Sequence, residues 1–451
     1  MSLRLDRKAA VRSVGLAGVA WALALGTAHG QQADSAPLQA LVDEALVSNP
    51  SIRAAEDRVE AARAAIGPAA ALPDPILSAG VMNFPAAQPG FGDDMMTMMT
   101  IGIGQTLPFP GKLALQRRAA ERELAAAEAR AEAARLAVAE EVKAAYYQLA
   151  FLDRALEIIR RNEGLLGNFV KVTESRYGVG SGTQADVLKA RVEAFRLAEE
   201  AVALTERRRG VLARLNAALN RPTDTPVEAP AIPTRTARAA VPADAGEIRF
   251  ASAALGSRAA GSPLPPLSEL QEAAVRQSPV LRAHEAEIAA EAARVEWARK
   301  AYLPDFNVSV QYGQRSGGSD LVSAMVSVPL PLRKGKKQDL AVKEAEARLS
   351  ALQAEHHQHV NEIRAAVAEA YADLEKERAQ LALFVKAILP QGRAALESAT
   401  AGFQVGRVDF LTLLENQATL FDYEMQYYRG LSDFAARLAA LERTVGTEIL
   451  P

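Results

Sequence analysis

The sequence predicts a mainly α-helical fold with a small β part, built as a duplicated unit of helix, strand hairpin, long helix, turn and helix. Three observations predict it. Residues 111–177 and 335–404 are long runs of Ala, Glu, Arg, Leu and Lys, which lose little on entering a helix. Each run follows a pair of short segments with period two, about 76–84 with 95–107 and 306–313 with 321–330. Short motifs recur in the same order in both halves, which makes the chain a repeat.

Bulk properties narrow the class. The chain has 451 residues and a net charge of −2, so composition makes no case for nucleic acid as a partner. Cysteine is absent, which excludes disulfides, thiolate metal sites, cysteine nucleophiles and a lipid anchor on an N-terminal cysteine. Residues 1–30 read as an export signal. Arg4, Arg7, Lys8 and Arg12 are the basic start, Val14 to Leu25 the apolar core, and Ala28-His29-Gly30 the small residues that a signal peptidase reads. That core is too short to span a bilayer, and no later segment is apolar enough for a transmembrane helix.

Residues 31–220 form the first repeat. Its first helix runs over about 38–70 and breaks once at Asn49-Pro50, because a residue before proline avoids helical geometry. Leu72-Pro73-Asp74-Pro75 stops it. In the second strand of the hairpin, Met99, Ile101 and Ile103 alternate with Thr100, Gly102 and Gly104; a loop rich in Pro, Gly and Asp precedes it. The long helix carries Val142, Leu149, Leu152, Leu156, Ile159, Leu166 and Val170 at steps of three, four or seven, a narrow coiled-coil seam. About 65 helical residues span roughly 100 Å, far more than a globular domain needs. Tyr177-Gly178-Val179-Gly180-Ser181-Gly182-Thr183 closes the helix, and Thr183 with Asp186 forms a capping box for the next one.

Residues 221–266 are rich in Pro, Ala and Thr without periodicity and read as a linker or a loosely packed belt. Residues 267–451 form the second repeat. Ser278-Pro279 answers Asn49-Pro50, Leu303-Pro304-Asp305-Phe306 answers Leu72-Pro73-Asp74-Pro75, and Val328-Pro329-Leu330-Pro331 answers Leu107-Pro108-Phe109-Pro110. Pro390 is expected to kink or curve the second rod. Phe403 to Asp409 answers Tyr177 to Asp186, read as three residues shorter, which sets Asp409 against Asp186.

The strands have the length and alternation of transmembrane β-strands, and equally of a soluble sheet with one wet face. Export and the want of any other core for them favour the membrane. Four strands cannot close a barrel, since single-chain barrels start at eight, and an open edge does not survive in lipid. Several chains must then share one barrel.

On Leu72-Pro73-Asp74-Pro75, Gln105 to Lys112, Tyr177-Gly178-Val179-Gly180 with Asp186, Phe403-Gln404-Val405-Gly406 with Asp409, and the duplication, the chain resembles the TolC-like outer-membrane efflux channels. The resemblance covers nearly all of the chain after residue 30. The Pro110-Gly111-Lys112 junction is most similar to the branch that serves heavy-metal pumps. The resemblance implies a homotrimeric α-helical barrel joined to a shared twelve-stranded transmembrane β-barrel in the outer membrane. It implies a passive conduit for cargo, heavy-metal cations in that branch, delivered by an inner-membrane pump of the RND type through a periplasmic adaptor. No enzymatic activity and no cofactor are implied.

By the same resemblance, acidic residues near the second turn constrict the periplasmic entrance. Asp409 stands at the first of these positions and Thr412 at the second, with Arg407 and Asp186 nearby. The turns at Tyr177, Gly178, Val179, Gly180 and at Phe403, Val405, Gly406 are the ends that meet the adaptor. The bland alternatives are helix capping and ordinary turns. Met95, Met96, Met98 and Met99 split between two strand faces and read as apolar filler rather than metal ligands. His356, His357 and His359 read as a solvated patch. Val179-Gly180-Ser181-Gly182 lacks the strand and the lysine of a phosphate loop. The rival from another class is a periplasmic coiled-coil adaptor or scaffold without a pore, which would need neither strand pair.

Overall fold

The computed structural model describes residues 36–84, 96–228, 230–241, 264–315 and 318–450. Helix α1 covers residues 36–48 and stops at Asn49; α2 (Pro50–Ala70) starts on the proline. Strands β1 (Ile76–Met82) and β2 (Met98–Leu107) precede α3 (Lys112–Gly178) and α4 (Gln184–Ala218). A short helix α5 (Thr234–Ala240) follows. The second half holds α6 (Leu267–Gln277), α7 (Pro279–Arg299), β3 (Phe306–Arg315), β4 (Leu321–Ser327), α8 (Gln338–Leu383), α9 (Leu389–Gln404) and α10 (Phe410–Val445). No described helix is long and apolar enough to cross a membrane.

Several boundaries differ from expectation for visible reasons. Strand β1 ends at Met82 because Asn83 takes a positive φ of 55°, and its amide donates to the Met96 carbonyl at 3.2 Å. Thr97 donates back to the Asn83 carbonyl at 3.0 Å, so β2 starts only at Met98; Met95 lies outside the described residues. Strand β4 ends at Ser327, since Pro329 and Pro331 have no N–H to give a ladder. The rod expected over 335–404 is interrupted. A π-helical turn, Phe384–Ile388, separates α8 from α9, and the Leu389 N–H bonds to the Phe384 carbonyl. Pro390 explains it: the ring lacks an N–H for the Lys386 carbonyl and would clash with it in a regular α-helix.

The chain divides into two compact units. One comprises the described residues of Met1–Ile52, Arg135–Arg276 and Arg364–Pro451. Here the seam read from the sequence is buried at Val142, Leu149, Leu152, Ile159 and Leu166, with Leu156 and Val170 half-buried. It joins Leu197 and Leu215 of α4 and Phe421 and Met425 of α10 in one core. Asn162 donates to the Ile158 carbonyl at 2.9 Å and accepts from Gln417, whose own Oε1 is buried without a partner among the described residues. The segment expected to be loose is anchored. Arg378 donates to the Ala239 carbonyl at 3.0 Å, and the Ala231 N–H donates to the Tyr146 hydroxyl at 3.2 Å. Val227 and Ile232 pack on the core and Arg235 pairs with Glu448 at 3.4 Å, contacts too scattered along the segment to leave a periodic signature. Residues 242–263 lie outside the described residues.

The other unit comprises the described residues of Arg53–Ala134 and Gln277–Ile363, including all four strands. Its helices meet on alanines, among them Ala119, Ala120 and Ala126 of α3 and Ala290, Ala293 and Ala298 of α7. Ion pairs flank these seams: Arg282 with Glu132 at 2.5 Å, Arg299 with Glu346 at 2.8 Å, and Arg294 with Glu123. Small side chains bring the helices close, and the exposed charges choose which faces meet while each contributes about 0–1 kcal/mol.

Leu149→Ala should therefore cost about 2–5 kcal/mol, since it opens a cavity in a fully buried seam. Arg299→Ala should stay within about 1 kcal/mol. Denaturant unfolding in detergent measures both; equal costs would contradict this division of labour.

Candidate functional site

The four strands form one antiparallel sheet in the order β1-β2-β3-β4. The two hairpins are thus not separate: β2 and β3 pair along ten residues, from Met98 opposite Arg315 to Leu107 opposite Phe306. Directly opposed residues share a face. The register therefore gathers Leu77, Ala79, Val81, Met99, Ile101, Ile103, Val308, Val310, Tyr312, Val322, Ala324 and Val326 on one side, with Gln105 and Gln314 as its polar members. The other side carries Ser78, Thr100, Gly102, Gly104, Asn307, Ser309, Gln311 and Ser323, with apolar Ile76, Met82, Leu321 and Met325 near its rims. This small-residue face is tight. A Cβ on Gly102 would sit 2.4 Å from the Gln311 side chain.

The apolar side is uncovered. Ile103 is 55% exposed, Val322 73% and Leu77 74%. Strands β1 and β4 are edges, each paired on one side only. Strands β2 and β3 have the ten residues that a tilted membrane strand needs, while the edge strands reach seven.

Below the β2–β3 seam the two repeats are clasped together. The Lys112 ammonium donates to the Asp305 carboxylate and to the Leu303 carbonyl, both at 2.8 Å. The Phe109 N–H also donates to Asp305 at 2.8 Å. Burial pushes the Asp305 carboxyl up, but the Lys112 hydrogen bond, the Phe109 N–H and the Lys112 charge together hold it below the usual carboxylate range.

In the other unit the two interhelical turns border one open cavity of about 840 Å³. They have the same hydrogen-bond pattern. The Arg176 carbonyl accepts from the N–H groups of Ser181 and Gly182 at 2.9 and 3.1 Å; the Gly402 carbonyl accepts from Arg407 and Val408 at 2.8 and 3.3 Å. Gly180 and Gly406 both take positive φ, 73° and 71°, where a side chain is strained. The turns are therefore equal in length, and the expected three-residue shortening is wrong. Asp409 corresponds to Thr183, the N-cap, and Thr412 corresponds to Asp186, three residues on. The cap residues have been exchanged between repeats, which hid the equivalence in the sequence.

Thr183 and Asp186 form the expected capping box, with Asp186 N–H to Thr183 hydroxyl at 3.2 Å and Thr183 hydroxyl to Asp186 carboxylate at 2.8 Å. Asp409 caps α10, accepting from the Thr412 N–H at 2.9 Å. Hydrogen bonds from the Thr412 side chain and backbone hold the exposed Asp409 carboxyl below its ordinary value. Arg407 is exposed, and no Arg407–Asp409 ion pair forms among the described residues. Tyr177, Val179 and Val405 are exposed, and Gly178, Gly180 and Gly406 sit with them at the surface. Phe403 is not: it is buried with its ring 5.9 Å from Phe410 and under the Arg176 guanidinium, so it supports the turn from inside.

The methionines do not converge. Met99 lies on the apolar face, Met98 on the other, and Met96 is exposed outside the strand. His359 stacks on His284 of α7 with ring centroids 4.4 Å apart, a partner too distant in sequence to be read there. No group of three metal-binding side chains occurs among the described residues.

The family described as outer membrane efflux protein matches residues 41–221 and 270–447, well over half of the chain. The cobalt-zinc-cadmium resistance protein CzcC of Cupriavidus metallidurans is 25% identical over 187 residues, 41% of this chain and 44% of that protein. The aligned segment thus spans less than half of that relative's length. The solved outer-membrane channel OprN superposes with a TM-score of 0.75 at 22% identity, covering 93% of this chain and 92% of that one. The outer membrane protein VceC of Vibrio cholerae gives 0.72 at 22%, covering 92% and 97%. CusC gives 0.72 at 16%, covering 91% and 92%. At these identities the likeness establishes the fold.

The depressed Asp409 carboxyl fixes a pH dependence. Its contribution to the α10 cap is present above the unfolded carboxylate value and is lost as pH falls through the lower folded one. Asn caps as well as Asp without titrating. Thermal unfolding from neutral pH into the acid range should show Asp409→Asn losing less stability than the parent; parallel curves would mean that the cap carries no linkage.

Proposed function

Because the chain belongs to the outer membrane efflux protein family, we propose that it is the outer-membrane channel of a tripartite efflux system. Three copies share one twelve-stranded barrel in the outer membrane. The helices continue as a conduit into the periplasm, where an adaptor links them to an inner-membrane pump of the RND type. Residues 1–30 direct export and are removed. The channel is passive: it needs no cofactor, and the pump supplies the energy.

The observation that carries this reading is the sheet. It has a largely apolar face that nothing among the described residues covers and two edges unpaired among them. Water tolerates the edges but not so large an apolar patch; lipid tolerates the patch but not the edges. A closed barrel of several copies satisfies both. Four strands per chain allow eight, twelve or sixteen, and the family resemblance selects twelve. Helix α4 adds support, since Leu188, Val192, Phe195 and Val202 form an exposed seam at helical spacing. The family match supports the channel and not a periplasmic scaffold without a pore.

The cargo class assigned is the divalent transition-metal cation, from the name of the cobalt-zinc-cadmium resistance relative. At the periplasmic end, Asp409 and Thr412 line the entrance, with Arg407 and Asp186 beside them. The exposed Tyr177, Val179 and Val405, on turns carried by Gly178, Gly180 and Gly406, meet the adaptor, with Phe403 beneath them.

Mass measurement in detergent should give three chains per particle from the outer-membrane fraction; a stable monomer would overturn the channel. Ile103→Arg, on the apolar face, should cost roughly 2–4 kcal/mol and impair insertion, whereas Ser309→Arg should be tolerated. Equal sensitivity would point to a soluble two-sided sheet.

Planar-bilayer recordings test the entrance. A ring of Asp409 carboxylates concentrates cations, so Asp409→Asn should lower cation preference and weaken block by multivalent cations. If Arg407 instead latches Asp409 of a neighbouring copy, Asp409→Asn and Arg407→Ala should both raise conductance. Unchanged conductance, selectivity and block in both variants would leave Asp409 as a helix cap only.

A further inference from the structure

The clasp below the β2–β3 seam has a second copy in the sequence that the single chain leaves open. Asp305 of Leu303-Pro304-Asp305 corresponds to Asp74 of Leu72-Pro73-Asp74. Lys112 stands four residues after Pro108, and Arg333 stands four residues after the corresponding Pro329. Asp305 and Lys112 are joined at 2.8 Å. Asp74 and Arg333 are both exposed, and neither makes an ion pair among the described residues. They flank opposite edges of the sheet: Asp74 precedes β1, and Arg333 follows β4. With three strand spacings between those edges, about 14 Å, the two cannot meet within one chain.

We propose that Asp74 of one copy pairs with Arg333 of the next, closing each β4–β1 junction of the assembly as Lys112 and Asp305 close the junction inside each chain. The inference rests on the shared-barrel reading and adds the contact that locks it. Three features favour a second copy as the occupant. The charges are complementary, and the edge strands are those that a ring of copies must join. The side-chain parity also fits. Inside the chain Ile103 faces Val310. Their repeat equivalents, Ala324 and Ala79, both lie on the apolar face, so a β4–β1 pairing of the same kind keeps that face continuous. Lys334, Lys336 and Lys337 make the turn beside Arg333 strongly basic, which draws in the carboxylate of a neighbour.

The absence of native cysteine makes the test direct. The double variant Asp74→Cys with Arg333→Cys, treated in detergent with a short bis-maleimide, should give covalent dimers and trimers on a denaturing gel, and either single variant should not. Cysteine-pair particles that keep a three-chain mass without covalent bands would overturn the clasp and leave the channel reading standing. A monomeric parent would overturn both. Charge exchange gives the independent measure. Asp74→Arg and Arg333→Asp should each reduce the SDS-resistant trimer, and the combined exchange should restore it. Failure of the exchange to restore what the single variants lose would overturn the pairing.

Discussion

The hydrogen-bonding demand of a strand edge is the constraint on which this molecule turns. Every backbone N–H and C=O on β1 and β4 that faces outwards needs a partner, and the apolar face beside those edges argues against water as that partner. Under the proposed assembly, further copies resolve that conflict. The duplicated architecture makes sense as a response. Each repeat supplies one hairpin, the β2–β3 seam joins them with ten residue pairs, and the outer edges of β1 and β4 stay unpaired among the described residues.

The two units solve helix packing by different means. The unit with the interhelical turns buries Leu, Ile, Phe and Val along α3, α4 and α10, and hydrogen bonds of Asn162, Gln417 and Ser432 run through its interior, while Gln417 Oε1 and Asn216 Oδ1 stay without a partner among the described residues. The unit with the sheet uses alanine contacts flanked by exposed ion pairs. Large apolar side chains provide stability at the expense of helix separation; alanines hold helices close and leave specificity to the charges around them.

Duplication also explains the chemistry of the turns. The same backbone pattern closes both, and both need a side-chain acceptor at the start of the following helix. One repeat places Thr at the cap and Asp three residues on; the other places Asp at the cap and Thr three residues on. Either order satisfies the exposed N–H groups of the first turn. In the second repeat the carboxylate stands at the cap itself, a difference of position that no difference of backbone would reveal.

The sequence by itself determined the mainly helical class, the long α3 with its buried seam, the alternation of the strands and the internal repeat, because these rest on local periodicity and on proline and glycine positions. Val142, Leu149, Leu152, Ile159 and Leu166 could be read as core from spacing alone. Tertiary structure decided what depends on partners distant in the chain. The β2–β3 seam, the Lys112–Asp305 clasp and the His284–His359 stack join residues more than seventy apart, and no local pattern announces them. The burial of Phe403 and the true pairing of Asp409 with Thr183 followed only from hydrogen bonds and ring contacts, since exchanged cap residues defeat alignment by identity. Strand ends and the π turn before Pro390 likewise needed coordinates, because a ladder or a helix stops where its last backbone partner is lost.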